Sequence, residues 1–140
     1  MAQRSRSATR AAATPAVPSL SPAVLTALAI GVPGLGHVLL GRTRKGVIFF
    51  GVLLLMFVIG LAFGGRLFPF QVSEPLVFLA AAAEWALLLP HLLAAIAGWG
   101  RGDVIAITYE YGNTFLIVSG LLNALVALDV YDRSTGRKPL

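Results

Sequence analysis

The residue in this chain best placed to do chemistry is Glu84, an acid near the middle of a long apolar run. The 26 residues between Glu74 and Arg101 carry no other formal charge. An ionised carboxylate at the centre of a bilayer costs about 2.5–3.5 kcal/mol on insertion scales. Such a group must face protein or water, be paired, or carry a proton. Two readings follow: a proton or cation site, or a neutral carboxyl that hydrogen-bonds a neighbouring helix. His91 lies seven residues further on. On a regular helix it shares a face with Glu84, about 10.5 Å along the axis at 1.5 Å per residue. That is too far for direct contact, although a water could lie between. Pro90 has no amide hydrogen, so the Ala86 carbonyl loses its usual helical donor. A kinked helix with Glu84, a free carbonyl and His91 could line a polar cavity. In the alternative, His91 sits near the interface with its ring satisfied. Asn123 is the expected partner of Glu84. Ser119, Asn123 and Ala127 recur at four-residue spacing beside Gly120 and Ala124, and small residues with an amide also fit plain helix packing.

His37 follows a cluster of glycines and is expected to tie a loose backbone carbonyl there. Two histidines without a ligand-spacing motif predict no metal site. With no cysteine in the chain, disulfides, thiolate catalysis and cysteine-bound metals are excluded. There is no Ser-His-Asp set, no HExxH motif and no paired intramembrane aspartates. "GVPGLGH" lacks the lysine and spacing of a phosphate loop. "GWGRG" lacks the strand–turn–helix that a dinucleotide site requires. Neither an enzyme activity nor a cofactor is expected.

The elements that position these residues are read from hydropathy. Of the 140 residues 57% are apolar and 12% charged, about half the charge of a soluble domain. The apolar residues come in blocks. Gly46–Gly65 and Tyr111–Leu128 hold 20 and 18 uncharged residues, and Ala23–Leu40 holds 18 more, interrupted by Gly31, Pro33, Gly34 and Gly36. A helical span needs about 20 apolar residues. Backbone groups in lipid must be satisfied within their own segment, so these runs are helices. "VIFFGVLLLMFVIGLAF" shows none of the alternation that a barrel strand requires. The fold class is therefore all-α: an integral membrane bundle of about four transmembrane helices, the first broken at Pro33–Gly36.

Residues 1–21 are basic and rich in Ser, Ala and Pro, which predicts a disordered tail. The helical domain takes residues 22–132, and 133–140 form a polar tail. The first segment should run as a short helix to about Val32, break, and continue through Leu40. "GRTRKG" is a basic turn among lipid headgroups. The later spans are expected at about 47–63, 76–97 and 114–131, with Asn113 or Thr114 capping the last. Alternation in "DVIAITYEYG" predicts an extended stretch at the interface. The net charge of +5 is scattered over tails and loops, so nucleic acid is not an expected partner.

"PGLGHVLLGRTRKG", with Pro33, Gly34, Gly36, His37, Gly41, Arg42 and Gly46, resembles the glycine-rich helical hairpin of bacterial membrane proteins related to the two-transmembrane domain. Here Val38 and Leu39 stand where that domain usually has aromatics. "YGNTFLIVSGLLNALVALDVYDRSTGRK" resembles the end of uncharacterised bacterial membrane proteins, domains of unknown function, that carry the same hairpin. The resemblance implies a membrane location and supplies no reaction, substrate or site.

The expected role is a structural or accessory membrane subunit that contacts the lipid bilayer and associates with itself or with other membrane proteins. The alternative is a small transporter, or an ion- or proton-conducting oligomer using Glu84 and His91. The expected location is the bacterial inner membrane. Orientation follows lysine and arginine in the flanks. Four spans place seven cations inside and four outside; a first segment that re-enters gives the same seven against four. Both put the N-terminus in the cytoplasm. The 18-residue length of the first segment favours four spans, because a re-entrant loop needs protein around its broken backbone.

Overall fold

The computed structural model describes residues 20–140, and residues 1–19 of the expected tail lie outside them. Ser21 and Pro22 open the first helix, α1 (Pro22–Gly31). The Ser21 side chain accepts a hydrogen bond from the Val24 amide, and Pro22 takes a first-turn position where its missing donor costs nothing. Val32, preceding Pro33, is extended. Gly34 then adopts φ +77 and leads into α2 (Leu35–Leu39). The break therefore falls where the sequence predicts it. A second glycine with positive φ, Gly41, turns the chain into α3 (Thr43–Ala62).

A loop leads to α4 (Pro75–Trp85), which is followed directly by α5 (Leu88–Ile96) at a bend of 104°. A second loop leads to α6 (Tyr109–Ser134). Two helices, α3 and α6, are long and apolar enough to cross a membrane, and the bent pair would be a third if it were one span.

The contacts fix directions. Gly60 and Gly65 of the α3 end pack on Gly112 near the start of α6, so α3 and α6 are antiparallel. One end of the pair, here the basic end, holds the start of α3 and the finish of α6. The other is the loop end. Leu25 packs with Ala127 and Val130 of α6 near the basic end. The Ala29 and Ile30 carbonyls meet Asn123, about two turns deeper. So α1 enters from the basic end and descends about 15 Å at 1.5 Å per residue, half of a core about 30 Å thick. The short α2 returns to the same end, with Gly36 against Val130 and His37 at Asp129.

The α4–α5 pair does the reverse. Its exit is held at the loop end, where the Leu67 amide donates to Gly100, the Asp103 amide donates to Gly64, and Arg66 bridges Arg101. The segment between α3 and α6 thus begins and ends at one end. Neither the 11 residues of α4 nor the 9 of α5 can cross a bilayer and return. The two halves of the chain repeat one order, a broken pair and then a long helix, entered from opposite ends.

Several expectations are corrected. The first segment is not one long helix: α1 has 10 residues, too few for a span by length, and α2 folds back toward the end at which α1 starts. Its broken backbone is surrounded by α3 and α6 and, at Asn123, by contact with the opposing hairpin, which is the protein environment that seemed to be lacking. The stretch at 76–97 is no straight span: Pro90 withholds the donor that would carry the helix past Ala86, and the Ala86 and Leu87 amides bond three residues back instead. "DVIAITYEYG" is a series of turns, because the Asp103 side chain and carbonyl capture the Ile105 and Ala106 amides. The last helix starts at Tyr109, so Asn113 is inside it and Thr114 bonds back to Glu110.

Gly120 marks the closest approach of α6 to α4. A Cβ there would collide with the Ala83 carbonyl, whereas one at Gly51 would meet nothing within 4 Å. Gly120→Val should therefore destabilise the fold by about 1–3 kcal/mol, typical of overpacking. Gly51→Ala should be close to neutral. Thermal unfolding of the detergent-solubilised variants checks both. An equal effect at the two positions would contradict the packing described.

Candidate functional site

Glu84 occupies the last turn of α4 and is completely buried. Its Oε2 accepts the Phe68 amide at 2.9 Å, which ties the α3–α4 loop to the hairpin. Its Oε1 has no hydrogen-bond partner among the described residues. The bend changes the place of His91. Instead of lying two turns away, His91 Nδ1 stands 4.0 Å from Glu84 Oε2. That is beyond hydrogen-bond distance, and Nδ1 is likewise buried without a partner. The Trp85 ring lies over the imidazole, with centroids 4.9 Å apart, and Phe70 of the loop covers Trp85 in turn.

Asn123 is not bonded to Glu84. Its side-chain amide reaches three backbone carbonyls: Ala86 at 2.7 Å, Ala29 at 3.2 Å and Ile30 at 3.3 Å. These belong to the C-terminal ends of α4 and α1, where helical carbonyls lack intrahelical donors. One residue of α6 thereby caps both broken helices. The expectation that Pro90 frees the Ala86 carbonyl is correct, and Asn123 supplies the donor that replaces it. Ser119 spends its hydroxyl on the Leu116 carbonyl in its own helix.

His37 does not tie a carbonyl either. Its Nε2 meets Asp129 Oδ2 at 2.9 Å, and the ring packs edge-on against Phe49. Asp129 also accepts from Arg133 Nε at 2.7 Å and Lys138 Nζ at 3.1 Å. Beyond the end of α6, the Asp129 carboxylate holds the Lys138 ammonium above the usual lysine range. The other hairpin residues act through the backbone. Pro33 and Gly34 make the reversal, Gly36 and Gly46 allow close contact, Gly41 makes the second turn, and the Arg42 amide donates to the His37 carbonyl at 2.8 Å.

Sequence reasoning missed Asp129, and it expected Asn113 only as a helix cap. The (i, i+4) spacing of Asp129 and Arg133 was a visible signal for the first. Nothing local signalled that Asn113 Oδ1 would accept the Arg66 amide at 2.8 Å. Glu84 and His91 are brought together, Asn123 lies at the neighbouring helix break, and His37 belongs to a separate cluster at the basic end. Among the described residues no three His, Cys, Asp or Glu side chains are grouped to hold a metal ion. The arrangement can hold or exchange a proton, and it can lock backbone.

A family model described as a family of unknown function (DUF6677) matches residues 24–139. The match covers most of the chain, and the protein belongs to that family. No curated protein and no solved structure matches it.

Removing the Asn123 amide leaves buried carbonyls unpaired, at about 1–3 kcal/mol for a lost buried partner. Asn123→Leu should lower the thermal midpoint and loosen both hairpins, seen as faster amide exchange at residues 28–36 and 84–92. Slowed or unchanged exchange in either hairpin would contradict the shared cap.

Proposed function

We propose that this member of the family is an integral membrane protein with two crossing helices, α3 and α6, and two half-depth hairpins, and that it acts as a structural or accessory subunit. The observation that carries this reading is how the polar side chains of the apolar layer are used. Asn123, Asn113 and Glu84 each bond backbone from a distant element, which serves to fix the chain's own path. Val47, Ile48, Val52, Leu55 and Val58 of α3 point outward, as a face against lipid or against another helix does. The hairpin's resemblance to the two-transmembrane domain of bacterial proteins supports a place in a bacterial cytoplasmic membrane, beside a second copy or other membrane proteins.

The distribution of cations over the two ends of the helix pair supports one orientation. Of the eight Lys and Arg among the described residues, Arg42, Arg44, Lys45, Arg133, Arg137 and Lys138 lie at the basic end, and Arg66 and Arg101 at the loop end. Cations accumulate on the cytoplasmic side. The basic end therefore faces the cytoplasm, with the entry to α1 and the C-terminus both inside. This keeps the N-terminal side where both linear schemes put it, shares a cytoplasmic "GRTRKG" turn with the re-entrant scheme and a cytoplasmic C-terminus with the four-span scheme, and matches neither scheme throughout. Single cysteines at Thr43 and Thr135 should resist an impermeant thiol reagent in intact cells and react after permeabilisation. One at Ser73 should react in intact cells. Labelling of Thr43→Cys or Thr135→Cys from outside would overturn the orientation.

A second reading, a small transporter or an ion- or proton-conducting oligomer, is favoured by one observation: Glu84 Oε1 and His91 Nδ1 are both buried without partners. Glu84→Gln separates the two. The structural reading expects no proton flux in proteoliposomes of either form and a changed thermal stability. The conducting reading expects flux in the unaltered protein, lost in the variant with folding intact.

A further inference from the structure

We infer that Glu84 and His91 form a proton-binding pair, holding one exchangeable proton between them at the inner end of the α4–α5 hairpin. The inference rests on the second reading above for its residues and is independent of whether they conduct. Glu84 is 0% and His91 4% exposed. The carboxyl group has one hydrogen bond, from the Phe68 amide, and the imidazole nitrogen 4.0 Å away has none. An ionised carboxylate offers about four acceptor sites, and burying it with a single donor is strongly unfavourable. A proton taken up from water removes the charge. It also creates the donor that the neighbouring nitrogen lacks, since a neutral imidazole presents one nitrogen as acceptor. Closing the gap by about 1 Å brings the pair within ordinary hydrogen-bond distance.

The step balances without a co-reactant. The carboxyl O–H can donate to Nδ1, or it can break as an N–H bond forms, which leaves carboxylate and imidazolium as a neutral ion pair. Loss of the proton leaves one negative charge, and no oxidation or reduction is involved.

The surroundings leave the pair electrically alone. The α3–α4 loop presents the Phe68 amide and the Phe70 ring, and α4 and α5 add the Trp85 ring. α6 offers Ser119 and Asn123, both uncharged and both engaged with carbonyls. α1 carries no charged residue. Arg66, the nearest cation in the loop sequence, is exposed, and no Lys or Arg among the described residues forms an ion pair with Glu84. A single proton therefore sets the net charge of the site. Among the described residues no third acidic, His or Cys ligand joins the pair to favour a metal ion.

Infrared spectroscopy of the full chain in liposomes at neutral pH tests this. The expected result is the C=O stretch of a protonated carboxyl group that moves on 13C-glutamate labelling, disappears in Glu84→Gln, and shifts to higher frequency in His91→Phe, which keeps a ring against Trp85 and removes the acceptor. Absence of a glutamate-derived band in the unaltered protein, which needs no variant to fold, would overturn the proposal. So would a band that is the same in His91→Phe. A band with the expected shift but no proton flux would retire the conducting reading and leave the proton-binding pair standing. Flux without such a band would overturn the pair and leave conduction.

Discussion

A carbonyl in hydrocarbon has no water to turn to, and this constraint governs the whole chain. In the proposed membrane placement, α1 and α4 would stop half-way across the bilayer and expose such carbonyls at its centre, where they are hardest to satisfy. The Asn123 amide answers for both, donating to Ala29 and Ile30 from one side and to Ala86 from the other. Without it the two breaks, at Pro33 and before Pro90, would each need a separate solution. A hydrophobic residue at position 123 would suit lipid and leave the hairpins unclosed.

Once the breaks are closed, the remaining packing follows. Each half supplies a broken pair and a long helix, and the long helices run antiparallel with glycines where their backbones touch. Gly60, Gly65 and Gly112 set the contact at the loop end. At the basic end α2 packs against both long helices, with Gly36 on the Val130 side chain of α6 and Gly34 on the Gly46 backbone of α3. Each hairpin also carries a histidine next to an acid. His37 meets Asp129 in a network with Arg133 and Lys138, while His91 meets Glu84 in an environment without other charges. The same pairing of residue types thus occurs in a charged and an uncharged setting. In the first the acid is stabilised by cations, and in the second a proton must serve that purpose.

Much of this was legible in the sequence, and the reasons for the rest are physical. The length of α3, the break at Pro33–Gly36 and the burial of Glu84 all follow from local composition, because proline, glycine and charge act where they stand. The freed carbonyl of Ala86 was legible for the same reason. The direction of the chain after a break was not: hydropathy measures how much apolar sequence is available and is silent on whether it crosses or turns back. Residues 76–97 illustrate this, being long enough for a span and bent instead. The distance between Glu84 and His91 failed with it, since 1.5 Å per residue holds only along an unbroken helix. Asn123 and Asp129 choose partners 30 to 100 residues away, and one sequence carries no local trace of such choices.

The central claim is that two hairpins enter from opposite sides and meet near mid-depth. A scan of single spin labels along residues 22–41 and 75–101 in liposomes measures it directly, by comparing collisions with oxygen, which concentrates in lipid, and with a water-soluble paramagnet. Each segment should show depth rising to one maximum, near residues 30–33 in the first and 85–88 in the second, and falling again to the side on which it began. A depth profile that passes through the centre and emerges on the opposite side, in either segment, would contradict the account.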